Sequence, residues 1–245
     1  MDTNFSEWRK KNPDKSFDEF KHLICISEDE IPKTVPETKL KQPKNLKYLI
    51  GISVVVAIFY ALGQFGGESI VRYFRSEKTS DAILDQKWTR ETYGSYGLSV
   101  ETPVKLPASK LPVPDNVKHL ISKMEAFDYM SEKGLKILIN SIEYKPEIGA
   151  TSLEGAANGS VNEVKSMKGV TDFNYSEEIA VKRDIPGFIQ KGNYKQDGVE
   201  IEFINTGFAT QFHIWQVLVM FEKNDETGRK AAERVIESID IENGI

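Results

Sequence analysis

Three histidines, one cysteine and a few carboxylate pairs are what the chain offers for acid–base, metal or nucleophilic chemistry. His22, His119 and His213 are far apart, and Cys25 is near only the first. A zinc site needs clustered His or Cys ligands, commonly at short spacing, and no such cluster occurs. No Gly-x-Ser-x-Gly turn is present to expose a hydrolase serine. His213 opens an apolar run (HIWQVLVMF), which marks a packed strand-end histidine rather than a base, and His119 in its Lys/Leu/Ile segment reads as solvated. Glu177-Glu178 and Asp225-Glu226 are explained by an exposed face and by a helix N-terminus, where negative charge is favoured. Residues 155–160 (GAANGS) invite a phosphate-loop reading. They lack the Gly-Lys-Ser/Thr ending and fall inside an apolar helical repeat, where small residues let a helix sit close to a sheet. Asn158-Gly159-Ser160 fits the glycosylation triplet, but a place inside a helix argues against its use. No catalytic, cofactor-binding or metal-ligating residue is therefore assigned, and no cofactor is expected.

The elements around these residues say more about where the protein sits. Tyr48 to Gly67 is a run of twenty residues without a charge, bounded by Lys47 and Glu68. At about 1.5 Å per helical residue it is ~30 Å long, the thickness of a bilayer's hydrocarbon core. It predicts one transmembrane helix. It is longer than the ~7–15 residues of a signal-peptide core, and 47 residues precede it, so an uncleaved anchor is expected. Lys33, Lys39, Lys41, Lys44 and Lys47 stand before it, and Arg72, Arg75 and Lys78 after it. That asymmetry places the N-terminus in the cytoplasm and the larger part of the chain outside the cell membrane. Ser53, Ala57 and Ala61 repeat at four-residue spacing, and Gly63 and Gly67 add a Gly-x-x-x-Gly pair. Such small residues on one helix face permit close helix–helix packing, and these five are candidate contacts for self-association.

Charge is unevenly placed. Residues 1–46 balance nine Lys/Arg against nine Asp/Glu, while residues 68–245 carry 22 against 28, a net −6. An acidic domain argues against nucleic acid, which rewards basic patches. With a mean hydropathy of −0.39, the chain is not polytopic. The only cysteine precedes the apolar run, so the large domain has no disulfide, and a domain of its size does not need one.

Four segments follow. Residues 1–47 form a tail in which Ser16 and Glu19 make a capping box for a short amphipathic helix, Phe17–Ile26, with Phe17, Phe20, Leu23 and Ile24 on one face. A proline-bearing linker follows it. Residues 48–67 are the membrane helix, 68–87 a charged stalk, and 88–245 a globular domain. In that domain the period alternates between two and 3.6. Strands are predicted at Gly97–Pro103, Glu125–Ser131, Leu135–Tyr144 (apolar on both faces, as in a strand covered from both sides) and Ile179–Arg183. Further strands are Phe188–Tyr194, Val199–Thr206, His213–Phe221 and Ile239–Ile241. Lys105–Pro114 reads as a loop, Pro186-Gly187 as a turn, and Lys195–Gly198 as a hairpin turn. Thr151 and Glu154 read as a capping box for a helix carrying Leu153, Ala156, Ala157, Ser160, Val161, Val164 and Met167 inward. Asn224 or Asp225 caps a final helix with Ala231, Ala232, Val235 and Ile236 inward. Runs of strands with segregated helices predict an α+β fold, an antiparallel sheet with helices packed on it.

Gly97, Ser99 and Pro103 in an early strand, Pro186-Gly187, Trp215 in an apolar strand and a capped helix ending in Val235–Ile241 together resemble the PsbP/Mog1/DcrB-like group over residues 88–243. The resemblance implies an α/β/α sandwich around an antiparallel sheet. It also implies a non-enzymatic binding or assembly factor, often attached to a membrane, and it transfers no functional residue. The expected function is a single-pass membrane-anchored, non-catalytic binding or assembly module. Its expected partners are the lipid bilayer and a protein partner or second copy through the membrane helix. The rival from another class is a membrane-anchored hydrolase with a noncanonical site built from loops such as Lys105–Pro114, marked by a carboxylate partner converging on His119 or His213.

Overall fold

The computed structural model describes residues 79–109, 118–131, 134–148, 151–166 and 169–242, all within the unit Lys47–Ile245. The run 48–67 with Ser53, Ala57, Ala61, Gly63 and Gly67, and the tail with Phe17–Ile26, His22 and Cys25, lie outside these residues. Among the described residues no helix is long and apolar enough to cross a membrane.

Among the described residues ten strands form two antiparallel sheets. β1 (Thr89–Tyr93), β2 (Leu98–Thr102) and β10 (Asp240–Ile241) make a three-stranded sheet in the order β1-β2-β10. The large sheet holds β3 (Ala108–Ser109), β4 (Ile121–Met130), β5 (Leu135–Tyr144), β6 (Val170–Lys182), β7 (Ile185–Gln196), β8 (Val199–Ala209) and β9 (His213–Glu222). Its order is β3-β4-β5-β9-β8-β7-β6. The α-helices among the described residues are α1 (Ala82–Asp85), α2 (Leu153–Ser166) and α3 (Glu226–Glu237).

The two most apolar predicted strands are neighbours near the centre of the large sheet, with Leu138 opposite Leu218 and Ile139 opposite Val217. Both faces are buried. One carries Leu135, Ile137, Ile139, Val217, Val219 and Phe221, packed with Ala231, Ala232 and Val235 of α3 and with Leu98, Val100 and Ile241 of the small sheet. The other carries Leu138, Leu218, Met220, Ile201, Phe203 and Tyr194, packed with Val164 of α2. This is why the strands read as continuous apolar runs rather than alternations.

Several boundaries differ from the sequence reading. Pro186-Gly187 is not a turn. The turn is Arg183-Asp184, both at positive φ (46° and 67°), joining Lys182 to Ile185. Two residues at positive φ make the tight hairpin whose twist matches its strands. Pro186 is the second residue of β7, where its missing N–H is tolerated. Gly187 is there for close approach. A Cβ at Gly187 would lie 2.5 Å from Gly207 O, and one at Gly207 2.5 Å from Phe188 Cε1, so each glycine seats the phenylalanine beside its partner. Lys105–Pro114 contains the two-residue β3. β6 begins nine residues before the predicted Ile179. The cap of α2 is Ser152, whose hydroxyl accepts from Gly155 N at 3.0 Å. Thr151 instead donates to Thr210 O, so the Thr151/Glu154 capping box is not formed. Asp225 caps α3 as expected, accepting from Gly228 N at 3.0 Å.

α2 is fixed to its face by a polar row. Gln216 Nε2 donates to Ser160 Oγ at 2.9 Å and to Asn205 Oδ1 at 2.6 Å. Asn205 Nδ2 donates to Gln190 Oε1 at 2.8 Å, and Gln190 Nε2 donates to Ala157 O at 2.9 Å and Glu177 Oε2 at 2.8 Å. Ala156, Ala157 and Ser160 are buried on the inner face of α2. Residues 155–160 therefore form a close-packed helical stretch and not a phosphate loop.

Candidate functional site

At one end of β5 and β9 four side chains form a block on one face, with Ser141 opposite Trp215 and Glu143 opposite His213. The loop Gly94–Gly97 between β1 and β2 closes over it. Both glycines have positive φ (75° and 70°), and a Cβ at Gly94 would lie 3.1 Å from that of Ser141. The loop delivers Tyr96, whose ring centroid is 4.1 Å from that of His213 and whose hydroxyl donates to Glu143 Oε2. His213 stacks on Trp215 at 5.8 Å from the other side. Ser95 binds alongside. Its N–H donates to Glu125 Oε2 at 2.8 Å, and its hydroxyl accepts from Lys123 Nζ. Lys123 is also 3.2 Å from Glu125.

The electrostatics follow from this packing. Burial pushes the His213 imidazole below its ordinary value, with the nearby Glu143 charge acting in the opposite direction. A lowered histidine is neutral at pH 7. Its Nε2 is 3.9 Å from Glu143 Oε1, beyond a hydrogen bond. Tyr96 is pushed up to about 12 by burial, by its bond to Glu143 and by the Glu143 and Glu125 charges, so it stays a donor. Burial alone would raise the Glu125 carboxyl, but the Ser95 amide and hydroxyl together with Lys123 outweigh it and hold the group low. His213 Nε2, Trp215 Nε1 and Ser141 Oγ are buried without a hydrogen-bond partner among the described residues.

A second place is an open cleft of about 470 Å³ lined by Thr79, Ser80, Ile83, Gln86, Tyr129 and Met130 among others. It adjoins the opposite end of β5. Eight residues of that strand, ~26 Å at 3.3 Å each, separate the levels of Leu135 and Glu143. Lys136 lies near this end, 2% exposed. Burial pushes its ammonium down to about 8, with Asp128 pulling the other way.

No family model and no curated protein matches the chain. Solved structures similar to it include cyanobacterial PsbP (CyanoP) from Synechocystis sp. PCC 6803, with 10% identity and a TM-score of 0.47 over 63% of this chain and 92% of that one. LpqN of Mycobacterium tuberculosis, involved in cell envelope biogenesis, is similar at 15% identity and 0.40, over 68% of this chain and 98% of that one. A protein of unknown function from Pseudomonas aeruginosa is similar at 9% and 0.38, over 64% and 99%. At these identities and scores the likenesses assign no function to this chain.

Of the histidines singled out in the sequence, His119 is exposed. His213 is packed as expected, and it also has the carboxylate neighbour that the hydrolase reading asked for. The metal expectation concerned spacing alone, and among the described residues no three His, Cys, Asp or Glu side chains are grouped to hold an ion. Tyr96, Ser95, Glu125, Glu143 and Lys136 escaped the sequence reading. The signal for the first two was Gly94-Ser-Tyr-Gly97 between two short strands. For Lys136 it was a lone cation inside an apolar run.

Proposed function

We propose that the chain is a single-pass membrane-anchored, non-catalytic binding or assembly module. Residues 1–47 lie in the cytoplasm, 48–67 span the cell membrane, and the domain lies beyond it as an α/β/α sandwich with α2 and α3 as outer layers. The observation that carries this reading is the uncharged run 48–67, with its excess of lysine on the N-terminal side. The domain adds support. The groups suited to acid–base work are engaged with one another, since Tyr96 takes up Glu143 and covers His213. A general base needs a free path to its substrate's proton. The open cleft, by contrast, begins at Thr79, twelve residues after Gly67. At most ~40 Å of chain separates the two, so a partner there is met close to the bilayer.

Two experiments test the reading. A thiol introduced at an exposed domain position, in a chain with Cys25→Ser, should react with an impermeant maleimide in intact cells. Labelling only after lysis reverses the orientation. Purification of the full chain in mild detergent should bring a protein partner that Met130→Lys in the cleft releases. The second reading is a hydrolase, favoured by the Ser95 hydroxyl in contact with Lys123 Nζ. Turnover of ester or phosphoester probes by the purified chain, abolished in Ser95→Ala, would establish it and sink the non-catalytic reading.

A further inference from the structure

The two edges of the large sheet are built differently. β3 is two residues long, a blunt edge. β6 is thirteen residues long and terminates the strand order on the other side, so its outer N–H and C=O groups have no strand partner among the described residues. A long edge strand is a template for pairing with another chain unless something blocks it. The first half of β6 is blocked by an irregularity between Thr171 and Asn174, with Asp172 at φ 53°. Such a bulge bends the strand and breaks its ladder. The second half is regular from Asn174 to Lys182. It is held out by the tight Arg183-Asp184 turn, and Arg183 is paired with Asp240 at 2.6 Å.

That regular half reads Glu178-Ile179-Ala180-Val181-Lys182. Ile179 and Val181 are 40% and 39% exposed, two of the few large apolar side chains so exposed. They point to the same face because they are two apart. Glu178 and Lys182 make no ion pair among the described residues. The segment is complementary to itself. Laid antiparallel on a copy with the two-fold axis at Ala180, Glu178 faces Lys182, Ile179 faces Val181 and Ala180 faces Ala180. Every charge then meets its opposite and every exposed apolar side chain meets another, each twice. Shifting the axis by one residue toward the N-terminus, to Ile179, sets Glu178 against Ala180 and Glu177 against Val181. Shifting it by two, to Glu178, sets like charges against each other. Like charges directly opposite destabilise a ladder, and opposite ones support it.

We propose that the chain pairs with a second copy of itself through residues 178–182 of β6, joining the two large sheets across an isologous antiparallel edge. This rests on the strand and its charges, and it stands whether or not the chain is membrane-anchored. A two-fold interface of this kind is self-complementary by symmetry.

The test uses the full chain with Cys25→Ser. At the axis the two Ala180 Cα atoms come within about 4.5–5.5 Å, inside the range a disulfide spans. Ala180→Cys should therefore give a disulfide dimer on mild oxidation. Glu178→Cys should give little, because its copies are four residues out of register, but Glu178→Cys together with Lys182→Cys should crosslink. In the Ala180→Cys chain, Lys182→Glu should slow dimer formation about fivefold, and adding Glu178→Lys to it should restore the rate. An unchanged melting temperature shows that each variant is folded. Equal crosslinking from Ala180→Cys and Glu178→Cys would mean random collision. A single reversal and the double exchange behaving alike would remove the charge pairing. Both results overturn the proposal. So does an Ala180→Cys thiol that neither crosslinks nor reacts with maleimide in the folded chain, which would mean that the chain's own residues cover the edge.

Discussion

Lys136 sits between Leu135 and Ile137 near one end of a central strand, and its ammonium is buried with Asp128 nearby. Its folded value near 8 is below the unfolded one, so between about pH 8 and 10.5 the unfolded chain binds more protons. Stability should therefore rise as pH goes from 7.5 to 10, by roughly 2–3 kcal/mol at most, before the tyrosines begin to titrate. Chemical melts across that range should show the rise in the parent and not in Lys136→Met. A parallel rise in both would mean that the lysine is not the source. Tyr96 invites a different measurement. Tyr96→Phe keeps the ring on His213 but leaves Glu143 without its donor. The carboxylate is then free to attract a proton on the imidazole. The His213 value, followed by NMR titration, should move up from its depressed position, and the melting temperature should fall by an amount matching the ~1–3 kcal/mol of a lost bond to a charged group. Neither residue stood out in the sequence, since Tyr96 reaches Glu143 across 47 positions and no local period encodes such a return.

At the level of elements, what was legible followed from burial. Leu135–Tyr144 and His213–Phe221 could be read because sheet faces packed on both sides leave an unbroken apolar run, and the structure places them side by side. The part of β6 before Ile179 could not be read. It is an exposed edge on which Asp172, Glu177 and Glu178 outweigh the apolar signal. The polar row Ser160–Gln216–Asn205–Gln190 was hidden for the opposite reason. Each member interrupts an otherwise apolar strand or helix, and only the register brings them together. The seating of Phe188 and Phe208 over two glycines was likewise misread, because Pro-Gly is a frequent turn pair. It gives a graded prediction. Gly207→Ala pushes on the Phe188 ring and should cost about 1–3 kcal/mol. Gly187→Ala meets the Gly207 carbonyl oxygen, which cannot swing away, and should cost more. Denaturant midpoints of the two variants should rank in that order, and the reverse order would mean that the ring, not the backbone, is the rigid partner.

For the whole molecule, both sides of the large sheet are used, and the described chain begins and ends on the same side. β10 pairs with β2 near the end of the described residues. At their beginning Thr79 N donates to Asp225 Oδ2 at 2.7 Å, while the other oxygen of that carboxylate caps α3. One buried carboxylate thus serves both the first described residue and the last long helix. Asp225→Ala removes both bonds. A lost cap costs typically about 1 kcal/mol, and the lost Thr79 bond should bring the total to roughly 2–3 kcal/mol, read as a lower denaturant midpoint with an unchanged slope. A change near 1 kcal/mol would mean that the Thr79 contact contributes little.

That shared carboxylate has a mechanical consequence. A pull on the chain from its N-terminal side arrives first at Thr79, where a single hydrogen bond to Asp225 resists it. The next attachments are Asp81, which accepts from Thr227 Oγ1, Ile83, buried in the core, and Trp88, whose indole donates to Ile83 O at 2.7 Å and lies under the Arg234 guanidinium, 4.3 Å from ring centroid to carbon. All of these contacts come before the first strand along the chain. Under tension the domain should therefore let out a short leader, Thr79 to Gln86, roughly 27 Å when extended, and only later lose its sheet. In single-molecule pulling this is a small step before the main rupture. Asp225→Ala should lower the force of the small step and leave the main one where it was.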